Sequence, residues 1–559
     1  MESVVLTSPL ARRLARGVAL TLLCGGPAYA QSPPPAPAPA SGTASGTASA
    51  STETAVPQNA AAGPTQPPSG PQQIQQGAPG GVRSSPAVTP PPSPYKPLFF
   101  ENDFSGYVGK PPYIFGEDFK LVTLSECPTV TLTAGGQVRH RMHSEDNRLR
   151  PDGETATSYQ LLRNRNYVDL KTEYVRAYVE SINAYNAGSE IDELIIDENR
   201  WDLLNAFVDF HLYDVAGGAG TFRVGRQEIL YGDQHLLSPL DWSNTRRNFE
   251  GYKFIHQADD WRLDLFSLNP VNGAAGSRGF DVNSFDEDDE DKPLWGAWLN
   301  RKLAGGASAD LFYIGQDREA PRSRTGARIP SVRSADGLRH LVGGRLSGTV
   351  PVTSGLGCDG GCDGGGGKVV RTWDYDVQGG YQFGDDDGED VSAAFFNAAG
   401  GHTWNSLAWK PRVGALFYYG SGDDDPNDGE NNTFYTYYPL AHAYWGIIDN
   451  LNGQNLLDYA LFASVKPTDK LSVTGGYHLF RKDSGSDFLY NVAQVGLGPR
   501  NAGTDIGNEL DVVANYQATP NLGFQLGYAH FWYGDFAEDN FAQASDDGEF
   551  VYFQTTFNY

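Results

Sequence analysis

Arginines set two residues apart are the first side chains with chemistry to offer. "GGQVRHRMH" (135–143) holds Arg139 and Arg141, and "LLRNRNYVDL" (161–170) holds Arg163 and Arg165. Arg176, Arg223 and Arg226 follow, then Arg246 and Arg247 in "DWSNTRRNFEG" (241–251). A guanidinium fork suits carboxylates better than a lysine ammonium does, so such a set would hold or pass anions. Spacing by two puts both members of a pair on one face of a strand; a helix would splay them. No nucleophile motif links His140, His143, His211 and His478, so an enzyme is not expected.

The elements that must position these arginines are strands. "LDVVANYQ" (510–517) sets Leu510, Val512, Ala514 and Tyr516 against Asp511 and Asn515. "LGFQLGYAHFW" (522–532), "LLDYALFASV" (456–465) and "LSVTGGYHLF" (471–480) alternate likewise. A period of two with one apolar face describes strands half exposed to an apolar surround. Tyr and Phe at 29 each, with 66 Gly, fit many strands joined by turns. Short connections such as "LKT" (170–172), "ADD" (258–260) and "TPN" (519–521) alternate with long polar ones such as 232–248 and 420–454. That alternation is the pattern of outer-membrane barrels, with periplasmic turns and extracellular loops. Two places break it: 350–368 is long where a turn is due, and 384–390 is short where a loop is due. The predicted fold is all-β, a transmembrane antiparallel β-barrel of about 18 strands over 131–559. The last segment, "VYFQTTFNY", ends on an aromatic, and pairing it with the first strand would leave no open edge.

Ahead of the barrel, residues 1–30 read as a signal peptide, with Arg12, Arg13 and Arg16, the apolar "GVALTLLC" and the small-x-small "AYA". Residues 31–94, rich in Pro, Ala and Ser, read as a disordered tether, and 95–130 as a periplasmic lead-in. A formal charge of −26 argues against a nucleic-acid partner.

An arginine at the lipid midplane costs about 2–4 kcal/mol, so the polar parity of each strand should face a wet lumen. That inward set holds Gln137, Arg139, Arg141, Arg163, Arg165, Tyr167, Asp169, Arg176, Glu180, Asn205, Asp209, His211, Arg223 and Gln227. Leu204, Ala206, Val208 and Phe210 should face out. Arg226 falls on the wrong parity beside Val224 and needs a bulge near Gly225 or a strand-end position. The later strands offer mostly Ser, Thr, Gly and Asn to the lumen, which makes one wall positive. The alternative role for any one arginine is to pair with Asp169, Glu173, Glu180 or Asp209 and fill the wall.

Cys358 and Cys362 in "CDGGCDGGGG" are candidates for a small disulfide loop, with Cys127 left over or competing. The acidic runs "DEDDED" (286–291) and "DDDPNDGEN" (423–431) read as solvated loop charge, with calcium ligation as the secondary reading, and no cofactor is expected.

The stretch "RVGRQEILYGDQHLLSPLDWSNTRRNFEGYKF" resembles the signature of the alginate export family, and "LLRNRNYVDL" and "LNAFVDFHL" resemble its early strands. The resemblance covers 130–559 and implies an eighteen-stranded barrel whose arginine-rich constriction passes a uronic-acid polysaccharide outward. It carries that role onto Arg139, Arg141, Arg163, Arg165, Arg176, Arg223 and Arg226, with Arg246 and Arg247 added from the loop. It also implies that the Trp242–Asn244 loop narrows the barrel mouth. The chain departs from the family's exporter in its minimal last turn, "QATPNL". The expected function is thus an outer-membrane anionic-polysaccharide channel of a Gram-negative cell. Its alternatives are an anion-selective porin for uptake and a surface adhesin. Outer-membrane lipid is the expected surround, and the tether could engage export components or cell wall.

Overall fold

The computed structural model describes residues 93–559 apart from 112, 150–155, 190–193, 195, 216, 273–284, 319–335 and 355–367. The expected signal peptide, nearly all of the tether, and Cys358 and Cys362 lie outside the described residues. Eighteen long strands among the described residues form one closed antiparallel barrel. In chain order β1 is Thr129–Asp146, β2 Ala156–Lys171, β3 Val175–Ala187, β4 Asn199–Val215, β5 Gly218–Gln227 and β6 Phe249–Ala258. There follow β7 Trp261–Asn272, β8 Leu294–Lys302, β9 Ser308–Arg318, β10 Gly337–Thr353, β11 Val369–Asp386 and β12 Glu389–Thr403. The ring ends with β13 Arg412–Gly420, β14 Leu456–Val465, β15 Leu471–Arg481, β16 Asp505–Gln517, β17 Leu522–Tyr533 and β18 Gly548–Asn558. Closure comes from β18 on β1, with Asn558 opposite Gln137 and Glu549 opposite Asp146. Tyr559 continues the pairing, its N–H donating to the Gly136 carbonyl at 3.0 Å.

Side-chain parity follows the expected division. Along β2, Tyr159, Leu161, Arg163, Arg165 and Tyr167 are buried while Leu162, Val168 and Leu170 are exposed. The exposed apolar face belongs to lipid, where only a closed ring satisfies every backbone group. No helix among the described residues is long and apolar enough to cross a membrane.

Two local features differ from the expectation, and at Arg226 the strand-end position holds in place of the bulge. Leu204 is buried, because the β3–β4 register slips between Glu180 and Ser181 and Leu204 drops out of the pairing as a bulge. No bulge occurs at Gly225; Arg226 sits one residue from the end of β5, opposite Ala206 and Glu250. Gly225 itself has φ +123 and lies opposite Gly251 at φ +150; an added Cβ would come 2.3 Å from the Ala206 carbonyl oxygen, so only glycine fits. The short connection near 384–390 shrinks further to Asp387–Gly388, both at positive φ, the two-residue hairpin geometry that matches strand twist.

The lumen is filled from both ends. Residues 228–248 fold inward, as expected of the Trp242–Asn244 loop, and so do 421–455, expected as a polar loop over 420–454; both join the main buried cluster with inward side chains from around the barrel. They lie along one another: Tyr438 N–H donates to the Leu236 carbonyl at 2.9 Å, and Leu440 N–H to that of Gln234 at 3.0 Å. The Trp242 and His442 rings stack at 3.4 Å, and Trp242 Nε1 donates to Asp449 at 2.7 Å. From the other end, Leu98, Phe99 and Phe100 are buried against Tyr167, Tyr178 and Phe207 of the wall. The lead-in also contributes a short strand, Val122–Glu126, paired with the start of β1, and exposed Cys127 lies in the turn between them.

Candidate functional site

The two arginine pairs on β1 and β2 meet the inward loop at one point. Arg139 donates to the Asp241 and Ser243 carbonyls, each at 2.6 Å. Arg163 donates to the Asp241 carboxylate at 2.7 Å and to Gln137 at 2.8 Å. Arg246, from the loop itself, pairs with both Asp241 and Glu228. Arg165 pairs with Glu180 at 2.7 Å and with Glu228 at 3.5 Å. Arg141 lies over the Trp242 ring at 3.6 Å and donates to Gln554 at 2.8 Å. Five guanidinium groups thus face three carboxylates. Arg139 and Arg141 make no ion pair among the described residues; their acceptors are carbonyls, an amide and a ring face.

Asp241 is the hub. Burial raises its carboxyl, but Arg246, Arg163 and Arg139 outweigh that and hold it well below the usual carboxylate range. Asn244 fastens the same loop, donating to the carbonyls of Leu162, Tyr185 and Asp197 at 3.1, 3.2 and 3.0 Å. Arg247 joins the two loops through the Ser238 and Pro439 carbonyls and the Tyr438 ring, and burial pulls it down to about 10.

The remaining candidates are held by the wall. Arg223 forks onto Asp209 at 2.6 and 2.8 Å, and Arg176 onto Asp169 at 2.8 and 2.9 Å. Asn205 bridges Glu180 and Glu228, both at 2.9 Å, and Gln227 is fully buried beside them. Arg226 is apart from this group: it reaches Glu250 at 3.2 Å, the Asp286 carbonyl at 2.8 Å and Asp202 at 3.8 Å. The wall-filling alternative therefore describes the geometry of Arg165, Arg176, Arg223 and Arg226, while Arg139 and Arg141 carry charge beyond it.

Sequence reasoning missed two groups. The later strands are not poor in charge: Arg339 pairs with Asp386 at 2.5 Å, Arg345 with Asp376 at 2.5 Å and Arg412 with Asp374 at 2.7 Å. Asp458 and Glu509 are buried on β14 and β16, with His478 against Asp458 and Asp511, and Glu509 accepts the Ile448 N–H of the second loop at 2.8 Å. Arg339 and Arg345 lie six apart on one strand, so parity alone could have found them. The inward course of 421–455 was signalled by "YYPLAHAYWGIIDNL", too apolar for a solvated loop.

The second loop is also tied outside the arginine site. Asp423 N–H donates to Asp487 at 3.3 Å, and Thr433 donates to the same carboxylate at 2.6 Å. Burial, with repulsion from Asp487, pushes the Asp423 carboxyl up to about 6. A raised carboxyl stabilises the folded loop at low pH, and that contribution is lost as pH rises from the ordinary value of 3.8 through 6. Proteolysis of the extracellular loops should therefore be faster at pH 7.5 than at pH about 4.5, and Asp423→Asn should remove the difference.

The alginate export family model matches residues 130–549. No curated protein matches the chain. Among solved structures it is similar to OccAB1 of Acinetobacter baumannii (TM-score 0.48, 12% identity, 76% of this chain and 96% of that one). It is also similar to OccD3 of Pseudomonas aeruginosa (0.47, 13%, 76% and 91%) and to the outer membrane protein OprD of the same organism (0.45, 10%, 76% and 93%). With its closed eighteen-stranded barrel, lipid-facing apolar parity and family match over three quarters of its length, the chain belongs to the alginate export family and is an outer-membrane channel of a Gram-negative cell.

Proposed function

We propose that this channel passes an anionic polysaccharide of the uronic-acid type, such as alginate, outward, and that the inward loop 228–248 is its gate. The observation that carries the reading is the pair Arg139 and Arg141, buried with neutral acceptors only. The loop carbonyls on Arg139 sit where a substrate carboxylate would form a stronger, charge-assisted bond. Solvated ion contacts of about 0.2–1 kcal/mol each would let a polyanion bind at several arginines in turn and still move on. Uptake of small anions is the second reading. It is favoured by the short connection 518–521 between β16 and β17, which has no length to plug the periplasmic end.

Planar-bilayer recording of the full chain tests this. A salt gradient should give an anion-selective reversal potential, and polygalacturonate should block from the periplasmic side more strongly than a neutral dextran. Cation selectivity would sink both readings. Equal block from the two sides would favour uptake of small anions over export.

A further inference from the structure

The segment Pro97–Glu101 lies against an aromatic surface of the inner wall. Tyr167, Tyr178 and Phe207 come from three neighbouring strands and stack in a row, at 5.7 Å and 20°, then 5.2 Å and 18°. Arg165, Arg176 and Arg223, each also paired with a wall carboxylate, surround that row: Arg176 lies 5.5 Å from the Tyr178 ring and Arg223 3.6 Å from that of Phe207. The segment meets this surface with two rings and two carbonyls. Phe99 lies under Arg165 at 3.9 Å, and Phe100 packs edge-on to Tyr178 and Phe207 at 5.7 and 5.2 Å. The Phe100 carbonyl accepts from Arg176 at 2.6 Å, and the Pro97 carbonyl accepts from Arg246 at 3.0 Å.

We propose that this inner-wall platform is a binding site for an acidic pyranose unit, and that Pro97–Glu101 occupies it as an intramolecular competitor. The inference rests on the anionic-saccharide reading above. A pyranose offers an apolar C–H face to an aromatic ring and acceptor oxygens around its edge, the same division of contacts that the segment makes. The segment is built to leave. Its own backbone bonds are local, Glu101 N–H to the Leu98 carbonyl and Asn102 N–H to that of Phe99, each at 3.0 Å, so withdrawal breaks no barrel ladder. Withdrawal would also take an acceptor from Arg246, the residue that pairs with Asp241 in the gate. The Pro-rich tract just upstream is where a periplasmic partner could pull.

The test uses the full chain in planar bilayers, with trigalacturonate as probe and maltotriose as neutral control. Phe99→Ala/Phe100→Ala should raise anion conductance and lower the half-blocking concentration of trigalacturonate about tenfold, because a tethered competitor acts at roughly millimolar effective concentration. If that variant fails to assemble, Leu98→Cys in a Cys127→Ser background decides. Its labelling by a membrane-impermeant maleimide, above the rate of the Cys127→Ser parent, should be accelerated by trigalacturonate and not by maltotriose. Block by trigalacturonate with labelling unchanged overturns the competitor while leaving the channel reading intact. Higher conductance in the double variant with no block by trigalacturonate overturns the ligand assignment and the anionic reading with it.

Discussion

Replacing Arg139 and Arg141 together by glutamine should abolish the channel's anion preference while leaving the barrel assembled. Both arginines are buried on β1 without an ion-pair partner among the described residues, and Asp241, which Arg139 also stabilises, keeps Arg163 and Arg246, so their removal strands no opposite charge. Glutamine keeps a polar amide at both positions while removing the charge. Two unit charges 4 Å apart interact by about 1 kcal/mol in water and about 4 kcal/mol at an effective dielectric of 20. In an open, wet lumen the lower figure applies, so each substitution should reduce the anion-to-cation permeability ratio about fivefold. The reversal potential reads this directly, and heat-modifiable electrophoretic mobility checks assembly. Arg412→Gln is the control: it breaks a fork onto Asp374 outside the gate and the aromatic platform, so stability should suffer more than selectivity. A double variant as selective as the native channel would remove these two arginines from the path.

The barrel was legible because lipid imposes a rule on every strand independently. Alternation at Leu162, Val168 and Leu170 reads outward without knowledge of any neighbour, and Asp387–Gly388 reads as a turn from its own residues. What depends on contacts distant in sequence was not legible. Parity places Arg165 and Arg139 on the same face, yet only the fold shows that Arg165 meets Glu228 while Arg139 meets backbone carbonyls. The bulge at Leu204 is a register event between β3 and β4, and nothing in "LLNAF" marks it. Phe99 and Phe100 are in a lead-in with no periodicity, so their docking against Tyr178 and Phe207 could not be read from spacing. The loop 421–455 is a different case: its apolar run was in plain view, and its flanking acids drew attention away from it.

The proposed gate, loop 228–248, makes the second large prediction. Asp241→Asn should shift the channel towards its open form at every pH. The native carboxylate accepts from Arg163 and Arg246, and the Asp241 carbonyl accepts from Arg139, so three guanidiniums converge on one loop residue. Removing one partner of a buried ion pair costs about 3–5 kcal/mol, because the remaining charges lose their counterion where water cannot replace it. Loop 228–248 can relieve that cost by leaving the lumen, so part of the penalty falls on the closed state alone. If half of it does, the closed-to-open ratio falls by roughly ten- to a hundredfold, at 1.4 kcal/mol per factor of ten. Closed dwell times in single-channel records should shorten accordingly. Acid should not reproduce the effect. With the carboxyl held below its ordinary range, its stabilisation of the closed loop is complete above the ordinary carboxylate pKa and is lost only as pH falls through the depressed value. The native gate should therefore stay shut from pH 8 down to about 4. Adding Arg163→Gln to Asp241→Asn should restore part of the closed population, since Arg163 pairs with no other carboxylate among the described residues and its unmatched charge goes with it, whereas Arg246 keeps Glu228. An unaltered open probability in an assembled Asp241→Asn channel would mean that the loop is fixed by Asn244 and its apolar packing, and that it does not gate.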